Sequence, residues 1–298
     1  MTTLEIHLEE KSHLSGCFAC IHLNIPKISM QLAIAIIDAF TNQVFQGNPA
    51  ATALVDAFPK DAQMQQIAAE INLSETAFVK PLGKNHFQLR WFTPKQEVPL
   101  CGHATLAMAH YLREIEAIAT DTPLVFSTLS GELQVSFEDR LIVMDFPAAF
   151  FQNCSERSQQ VLAQIFSDRS YICLGQSADY LAVVLDAESA VQNFVPPYDL
   201  IAQLDGFGFI ITAIADAGLD YDFVSRFFAP KAGIPEDPVT GSAHCSLTPY
   251  WSKRLGKGSL KARQLSQRTG NLEVSDRGER VLLKGEAVTF LRGQITYS

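Results

Sequence analysis

Three short stretches of this chain hold side chains that move protons or bind acids. Asn72-Leu73-Ser74-Glu75-Thr76-Ala77-Phe78 sets Glu75 between a helix-like segment and a strand-like one, a loop position of the kind that carries function. A carboxylate held there can take a proton from one carbon and return it to another; a solvated loop acid would read the same way. Cys101-Gly102-His103-Ala104-Thr105 opens an apolar helical run. Gly102 allows close backbone approach. The dipole at a helix start disfavours imidazolium, so His103 is expected neutral, and the same dipole favours a Cys101 thiolate. A buried cysteine and a capping histidine are the plain alternative. In Glu236-Asp237-Pro238-Val239-Thr240-Gly241-Ser242-Ala243-His244, Thr240, Gly241 and Ser242 can form an amide nest for a carboxylate. Asp237 is close enough in sequence to orient an acid or base. The plain alternative is a proline turn followed by a serine N-cap.

One pattern occurs twice. Arg90-Trp91-Phe92-Thr93-Pro94-Lys95 leads to Cys101-Gly102-His103-Ala104, and Arg226-Phe227-Phe228-Ala229-Pro230-Lys231 leads to Thr240-Gly241-Ser242-Ala243. Two related halves follow, each bringing a loop to a helix N-terminus. Such an end presents unpaired N–H groups and a positive dipole end, a site for an anion. Two of them facing each other would hold a small acid.

The positioning elements read as many strands with one wrapped helix per half. Strands are expected at 34–39, 50–55, 76–79, 87–92, 124–127, 131–137 and 141–145, then at 180–185, 207–213, 221–228, 264–267, 272–275, 280–284 and 287–294. Helices are expected at 62–70, capped by Asp61, and at 104–116, 159–166, 187–193 and 242–254, the last shortened or kinked by Pro249. Asp276-Arg277-Gly278 reads as a hairpin turn. This order is α+β, without the regular alternation of a doubly wound fold.

The whole chain narrows the function classes. Its 298 residues are long enough for two domains, and 47% hydrophobic with 18% charged residues is globular. A net charge of −9 without a Lys/Arg cluster argues against a nucleic-acid surface. No apolar run approaches the roughly 20 residues of a membrane span. Six cysteines read as reduced thiols in a cytoplasmic protein. There is no G-x-G-x-x-G after a strand, no Walker loop and no H-E-x-x-H, so a nucleotide, nicotinamide or metal site has no support and no cofactor is expected. Thr240-Gly241-Ser242 is not a G-x-S-x-G nucleophile elbow. A domain can start at the strand from Met30, so residues 1–29 read as an extension or an over-called start; Cys17 and Cys20 with His13 and His22 leave a weak zinc reading that matches no standard finger.

The three stretches, together with Asp38-Ala39-Phe40-Thr41 through Phe45-Gln46-Gly47-Asn48-Pro49-Ala50, resemble the PhzF family of phenazine-biosynthesis-like isomerases from about Met30 to the C-terminus. The resemblance implies a diaminopimelate-epimerase-like fold: two pseudo-symmetric halves, each a mixed sheet around a central helix. The halves would span 30–147, with the last strand at about 288–298 returning to it, and 148–287. By resemblance, Glu75 matches the catalytic acid/base. His103, Asp237 and Ser242 match positions lining the site, and Asn48, Gly102, Ala104, Thr240 and Gly241 the substrate-binding ones. A homodimer and a small carboxylic-acid substrate are likewise implied.

An epimerase of that fold needs two thiols, one on each face of the inverted carbon. Cys101 stands where the first would be; the second half has no cysteine in the corresponding loop, and Cys245 lies inside the helix. Proton movement along one face by one carboxylate is therefore favoured. The competing readings are a non-catalytic small-acid binder or interaction protein on the same scaffold, and a residual amino-acid epimerase using Cys101.

Overall fold

Runs such as Ala33-Ile34-Ala35-Ile36-Ile37 and Phe223-Val224-Ser225-Arg226-Phe227-Phe228 favour strands because β-branched and aromatic side chains pack on a pleated surface. The computed structural model describes residues 30–177 and 179–297; the Cys17/Cys20 segment lies outside the described residues. The first half runs β1 (Met30–Ala39), β2 (Asn48–Leu54), α1 (Asp61–Ile71), β3 (Glu75–Gly83), β4 (His86–Phe92), β5 (Glu97–Val98), α2 (Gly102–Glu114), β6 (Leu124–Thr128), β7 (Gly131–Glu138) and β8 (Leu141–Pro147). The second opens with α3 (Glu156–Ile165), β9 (Ile172–Ser177), β10 (Tyr180–Val184), α4 (Glu188–Gln192), α5 (Tyr198–Ile201), β11 (Gly208–Ile214) and β12 (Phe223–Ala229). A 3-10 turn at Pro230–Ala232 leads to β13 (Ile234–Asp237), α6 (Gly241–Leu255), β14 (Ser259–Gln264), β15 (Gly270–Asp276), β16 (Arg280–Gly285) and β17 (Ala287–Tyr297).

The strand pairing is duplicated. β2 and β3 run parallel, β3 and β4 antiparallel, β4 and β6 parallel, and β6, β7 and β8 form an antiparallel meander. β10, β11, β12, β14, β15 and β16 repeat that series of relations in the same order. The two copies join where β8 and β16 pair antiparallel. β17 returns to β1, from Met30↔Tyr297 to Ala39↔Ala287, so the end of the chain completes the first sheet.

Each copy wraps one helix. α2 buries Leu106, Ala107, Met108 and Leu112 completely. α6 buries Ala243, Leu247 and Trp251, and both helices share one continuous core with the strands around them. A helix apolar on nearly every side is stable only when so enclosed. Removing a buried leucine such as Leu106 would cost roughly 2–5 kcal/mol.

Several local expectations need correction. α6 spans the expected helix and runs on through Pro249, so the proline does not shorten it. The carbonyl that Pro249 leaves without its helical N–H belongs to Cys245, and it accepts from the Ala149 amide at 3.1 Å. The missing bond is therefore replaced from the chain segment that links the halves. The strand expected at 264–267 is displaced to Ser259–Gln264, because Ser266 accepts from the Thr269 amide and closes a turn there. Lys60, not Asp61, is the N-cap of α1; Asp61 is the first helical residue, and the Gln63 side chain accepts from the Lys60 amide at 3.1 Å.

Candidate active site

The duplication brings two helix starts face to face. Cys101 is the extended N-cap of α2, with Gly102 and His103 as its first residues; Thr240 is the extended N-cap of α6, followed by Gly241 and Ser242. A Cβ built on Gly102 would lie only 3.8 Å from the Gly241 Cα. Both loops feeding these helices are braced alike. Arg90 on β4 donates twice to Glu97, at 2.7 Å each. Arg226 on β12 donates twice to Glu236, at 2.7 and 2.9 Å. A guanidinium fork matches a carboxylate in this way and fixes the loop's direction.

The register then shows which positions differ between the copies. Trp91 pairs with Val98, and Phe227 with Asp237, so Asp237 stands where the first half has valine. Thr76 pairs with Phe92, and Phe209 with Phe228, so Gly208 stands where the first half has Glu75. A side chain at Gly208 would strike the Phe227 ring at 2.3 Å. Thr240 correspondingly takes the place of Cys101. The first half contributes Glu75, His103 and Cys101; the second contributes Asp237, Thr240 and Ser242.

These groups meet across the junction. Glu75 Oε2 is 3.0 Å from His103 Nε2, yet both atoms are buried without a well-directed hydrogen bond. We regard the contact as an ion pair out of line for hydrogen bonding. On the other edge of the ring, Nδ1 lies 3.2 Å from Asn48 Nδ2 and 3.6 Å from Cys101 Sγ. Asn48, fully buried, donates at 2.9 Å to both Asp237 Oδ1 and the Val239 carbonyl. The Thr240 hydroxyl donates to Asp237 Oδ2. Ser242 Oγ is 2.8 Å from the Tyr180 hydroxyl. Ala104 is fully buried and turns its amide toward the Cys101 sulfur. The structure thus brings Asn48, Glu75, Cys101, His103, Asp237 and Thr240 into one cluster, with Ser242 beside Tyr180 at the second helix start. A depression of about 500 Å³ lined by Leu54, Lys84, Asn85 and Glu116 lies at the other end of the strands, away from this chemistry.

Burial and charge bear on two protonation states that the sequence leaves open. Burial pushes the Cys101 thiol up to about 11, and the Glu75 charge adds to that; at neutral pH it is a thiol, and the helix dipole does not make it a thiolate. Burial alone would lower His103, but Cys101 and Glu75 outweigh it and hold the imidazole well above its usual value. Because Cys101 is uncharged near neutrality, Glu75 supplies that effect there. At 3.0 Å the Coulomb attraction is on the order of 5 kcal/mol at an effective dielectric of about 20. The Glu75 charge thus favours the imidazolium form of His103, against burial and against a helix terminus worth up to about 2 kcal/mol. Asp237 is pushed up to about 6, by burial first and by Glu75, against His103, the Thr240 hydroxyl and Asn48. His244, one turn into α6, is lowered to about 4 by burial and bonds the Thr240 carbonyl at 2.8 Å.

The amide nest expected at Thr240, Gly241 and Ser242 is narrower than it read, since the Thr240 N–H is taken by Gln264 Oε1 at 2.9 Å. Glu75, Cys101 and His103 bring donor atoms within 4.8 Å of one another, a possible cation set. Glu75 and Cys101, however, approach opposite edges of the imidazole. One ion on either ring nitrogen would leave a ligand behind the ring, so the geometry does not fit a compact metal site.

Tyr180 and Gln264 were not legible as site residues. Each is brought in by a strand far along the chain from the helix start it touches, and only the pairing of β10 with β11 and of β14 with β12 places them there. The Asp38 carboxylate likewise accepts from Arg268 at 2.8 Å and from the Phe45 amide at 2.9 Å. Arg268 also donates to the Gly47 carbonyl at 2.9 Å, tying the turn before Asn48 to the second half.

Comparison with known proteins agrees with this architecture. The model of the phenazine biosynthesis-like PhzC-PhzF family matches residues 37–293. An uncharacterized isomerase of Pseudomonas aeruginosa is 47% identical over 272 residues, covering 90% of this chain and 100% of that protein. The crystal structure of a PhzF-family phenazine biosynthesis protein from Enterococcus faecalis superposes with a TM-score of 0.82 at 39% identity, over 90% of this chain and 100% of that one. A hydroxyproline epimerase from Agrobacterium vitis shares the fold alone, with a TM-score of 0.54 at 11% identity over 89% of this chain and 91% of that one. The fold is diaminopimelate-epimerase-like. The chain belongs to the phenazine biosynthesis-like PhzC-PhzF family.

Proposed function

We propose that this protein is an isomerase that shifts a proton within a small unsaturated or amino carboxylic acid, with Glu75 as the single acid/base. Glu75 as a carboxylate takes the proton from a C–H carbon of the substrate. The electron pair moves into the conjugated system, and the resulting carboxylic acid returns the proton to another carbon on the same face. No redox equivalent or group carrier is needed for that balance. The His103 imidazolium holds Glu75 in place. The first-turn amides of α2 and α6, which have no intrahelical carbonyl to bond, bind the substrate carboxylate and the charge developing on it.

The observation that carries this reading is the asymmetry between the copies. Glu75 has Gly208 as its counterpart, and Cys101 has Thr240. Two-sided proton exchange needs a base on each face, and the second half supplies no thiol at its helix N-cap. The high pKa of the Cys101 thiol also counts against a residual epimerase. The test is proton NMR in D₂O with trans-2,3-dihydro-3-hydroxyanthranilic acid, the substrate class of the family's namesake. Isomerisation with deuterium entering one carbon supports the reading. A bound acid that never exchanges protons would favour the non-catalytic binder.

A further inference from the structure

Gln264 closes β14 and is fully buried, and its side-chain oxygen and nitrogen both bond to one loop of the site. Oε1 accepts from the Thr240 amide at 2.9 Å. Nε2 donates to the Asp237 carbonyl at 2.8 Å and to the Thr240 hydroxyl oxygen at 3.2 Å. The amide orientation is unambiguous, because a flip would set Nε2 against the Thr240 N–H, donor against donor. A threonine hydroxyl has one proton and can rotate to place it. With an N–H directed onto its oxygen from Gln264, it cannot point its proton there. It points at Asp237 Oδ2 instead.

We propose that Gln264 is a positioning residue for Asp237, acting through Thr240: it fixes the loop backbone and turns the Thr240 hydroxyl proton onto the Asp237 carboxylate. The proposal rests on the isomerase reading only in giving Asp237 a part in the reaction. The device is specific to the second half. In the first half the N-cap at the same place is Cys101, and the residue matching Asp237 is Val98, so there is no carboxylate for a side-chain amide to orient. The groups that face Asp237 are His103 from α2, Glu75 from β3, Asn48 from β2, Tyr180 from β10 and Thr240 itself. Of these, only Thr240 is held by Gln264.

The consequence is measurable without a substrate. In the intact protein labelled with ¹³C at aspartate Cγ, Asp237 is assigned by the resonance lost in Asp237→Asn, and its titration is followed by NMR. Gln264→Leu removes the amide and frees the hydroxyl, so the Asp237 midpoint rises by about one pH unit, the size of one charged hydrogen bond. Thr240→Val raises it similarly. In the Thr240→Val background, Gln264→Leu produces no further rise, because its route is gone. Gln264→Met keeps the length without adding a charge, in case Gln264→Leu does not fold. It too removes the amide and frees the hydroxyl, so the midpoint again rises. An unchanged midpoint in folded Gln264→Leu or Gln264→Met, or equal shifts with and without Thr240, would overturn the proposal. Because this titration needs no turnover, a shift as predicted in a protein that isomerises nothing would sink the isomerase reading alone.

Discussion

Glu75 Oε2 and His103 Nε2 lie 3.0 Å apart and out of line for a hydrogen bond, each buried with bonding capacity unused. A structural ion pair would be expected to align, since an unsatisfied buried polar atom costs about 1–3 kcal/mol. The misalignment makes sense if the carboxylate is held for a proton that arrives with a substrate. On the proposed reading Glu75 and His103 act as a unit: His103 positions the base, and the Glu75 charge raises the imidazole in return.

Asp237 should make the protein less stable near neutral pH than in mild acid. Its folded pKa of about 6 lies above the ordinary 3.8, so its contribution is full below about 4 and is lost as pH rises through 6. The full difference is on the order of 3 kcal/mol. Asp237→Asn should therefore be more stable than the parent in urea unfolding at pH 7.5, with the gap closing toward pH 4. Equal differences at both pH values would show that Asp237 ionises normally. His244, lowered to about 4, works in the opposite sense, but it is common to both proteins and cancels.

The two loop braces should differ in worth. The Arg226 side chain is 10% exposed against 17% for Arg90, and Arg226 also donates to the Phe194 carbonyl at 2.7 Å. Arg226→Ala strands a carboxylate and buried carbonyls and should cost about 3–5 kcal/mol. Arg90→Ala should cost less, about 1 kcal/mol. Chemical denaturation of both variants checks the ranking, and the reverse order would contradict the burial argument.

Gly47 sets the turn that delivers Asn48. Its φ is +68°, and a Cβ there would come within 2.2 Å of the Ala39 carbonyl oxygen. Gly47→Ala should destabilise the protein by about 2–4 kcal/mol and, in whatever folds, displace Asn48 from Asp237 and Val239. A crystal structure of the variant with Asn48 in place and parental stability would refute this.

Cys101→Ala should keep turnover within about tenfold of the parent, because a thiol with a pKa of about 11 has little thiolate to offer at pH 7. A loss of a thousandfold or more in steady-state rate would restore the epimerase-type reading.

How much of this was legible in the sequence depends on the range of the interaction. The repeat from Arg90 and Arg226 exposed the duplication, and strands such as Met30–Ala39 and His86–Phe92 carry their own apolar pattern. Short strands such as Glu97–Val98 and Ile234–Asp237 have too few residues for any periodicity; they form because an arginine on the neighbouring strand holds them. The helix over 242–254 was readable, but its passage through Pro249 without shortening was not, because the Ala149 amide that replaces the missing bond comes from a distant segment. The pull of Glu75 on His103 was hidden for a similar reason. The dipole is local to its helix, while Glu75 arrives from another strand. Tyr180 and Gln264 carry no local signal at all.

The central claim is that one carboxylate moves the proton, and the most direct test compares the parent protein with Glu75→Gln in D₂O. With trans-2,3-dihydro-3-hydroxyanthranilic acid followed by proton NMR, the parent should isomerise the compound and place deuterium at one carbon. Glu75→Gln should be slowed by roughly 10²–10⁴-fold while retaining the parent's fold by circular dichroism. A folded Glu75→Gln protein that turns over at the parental rate would contradict the account.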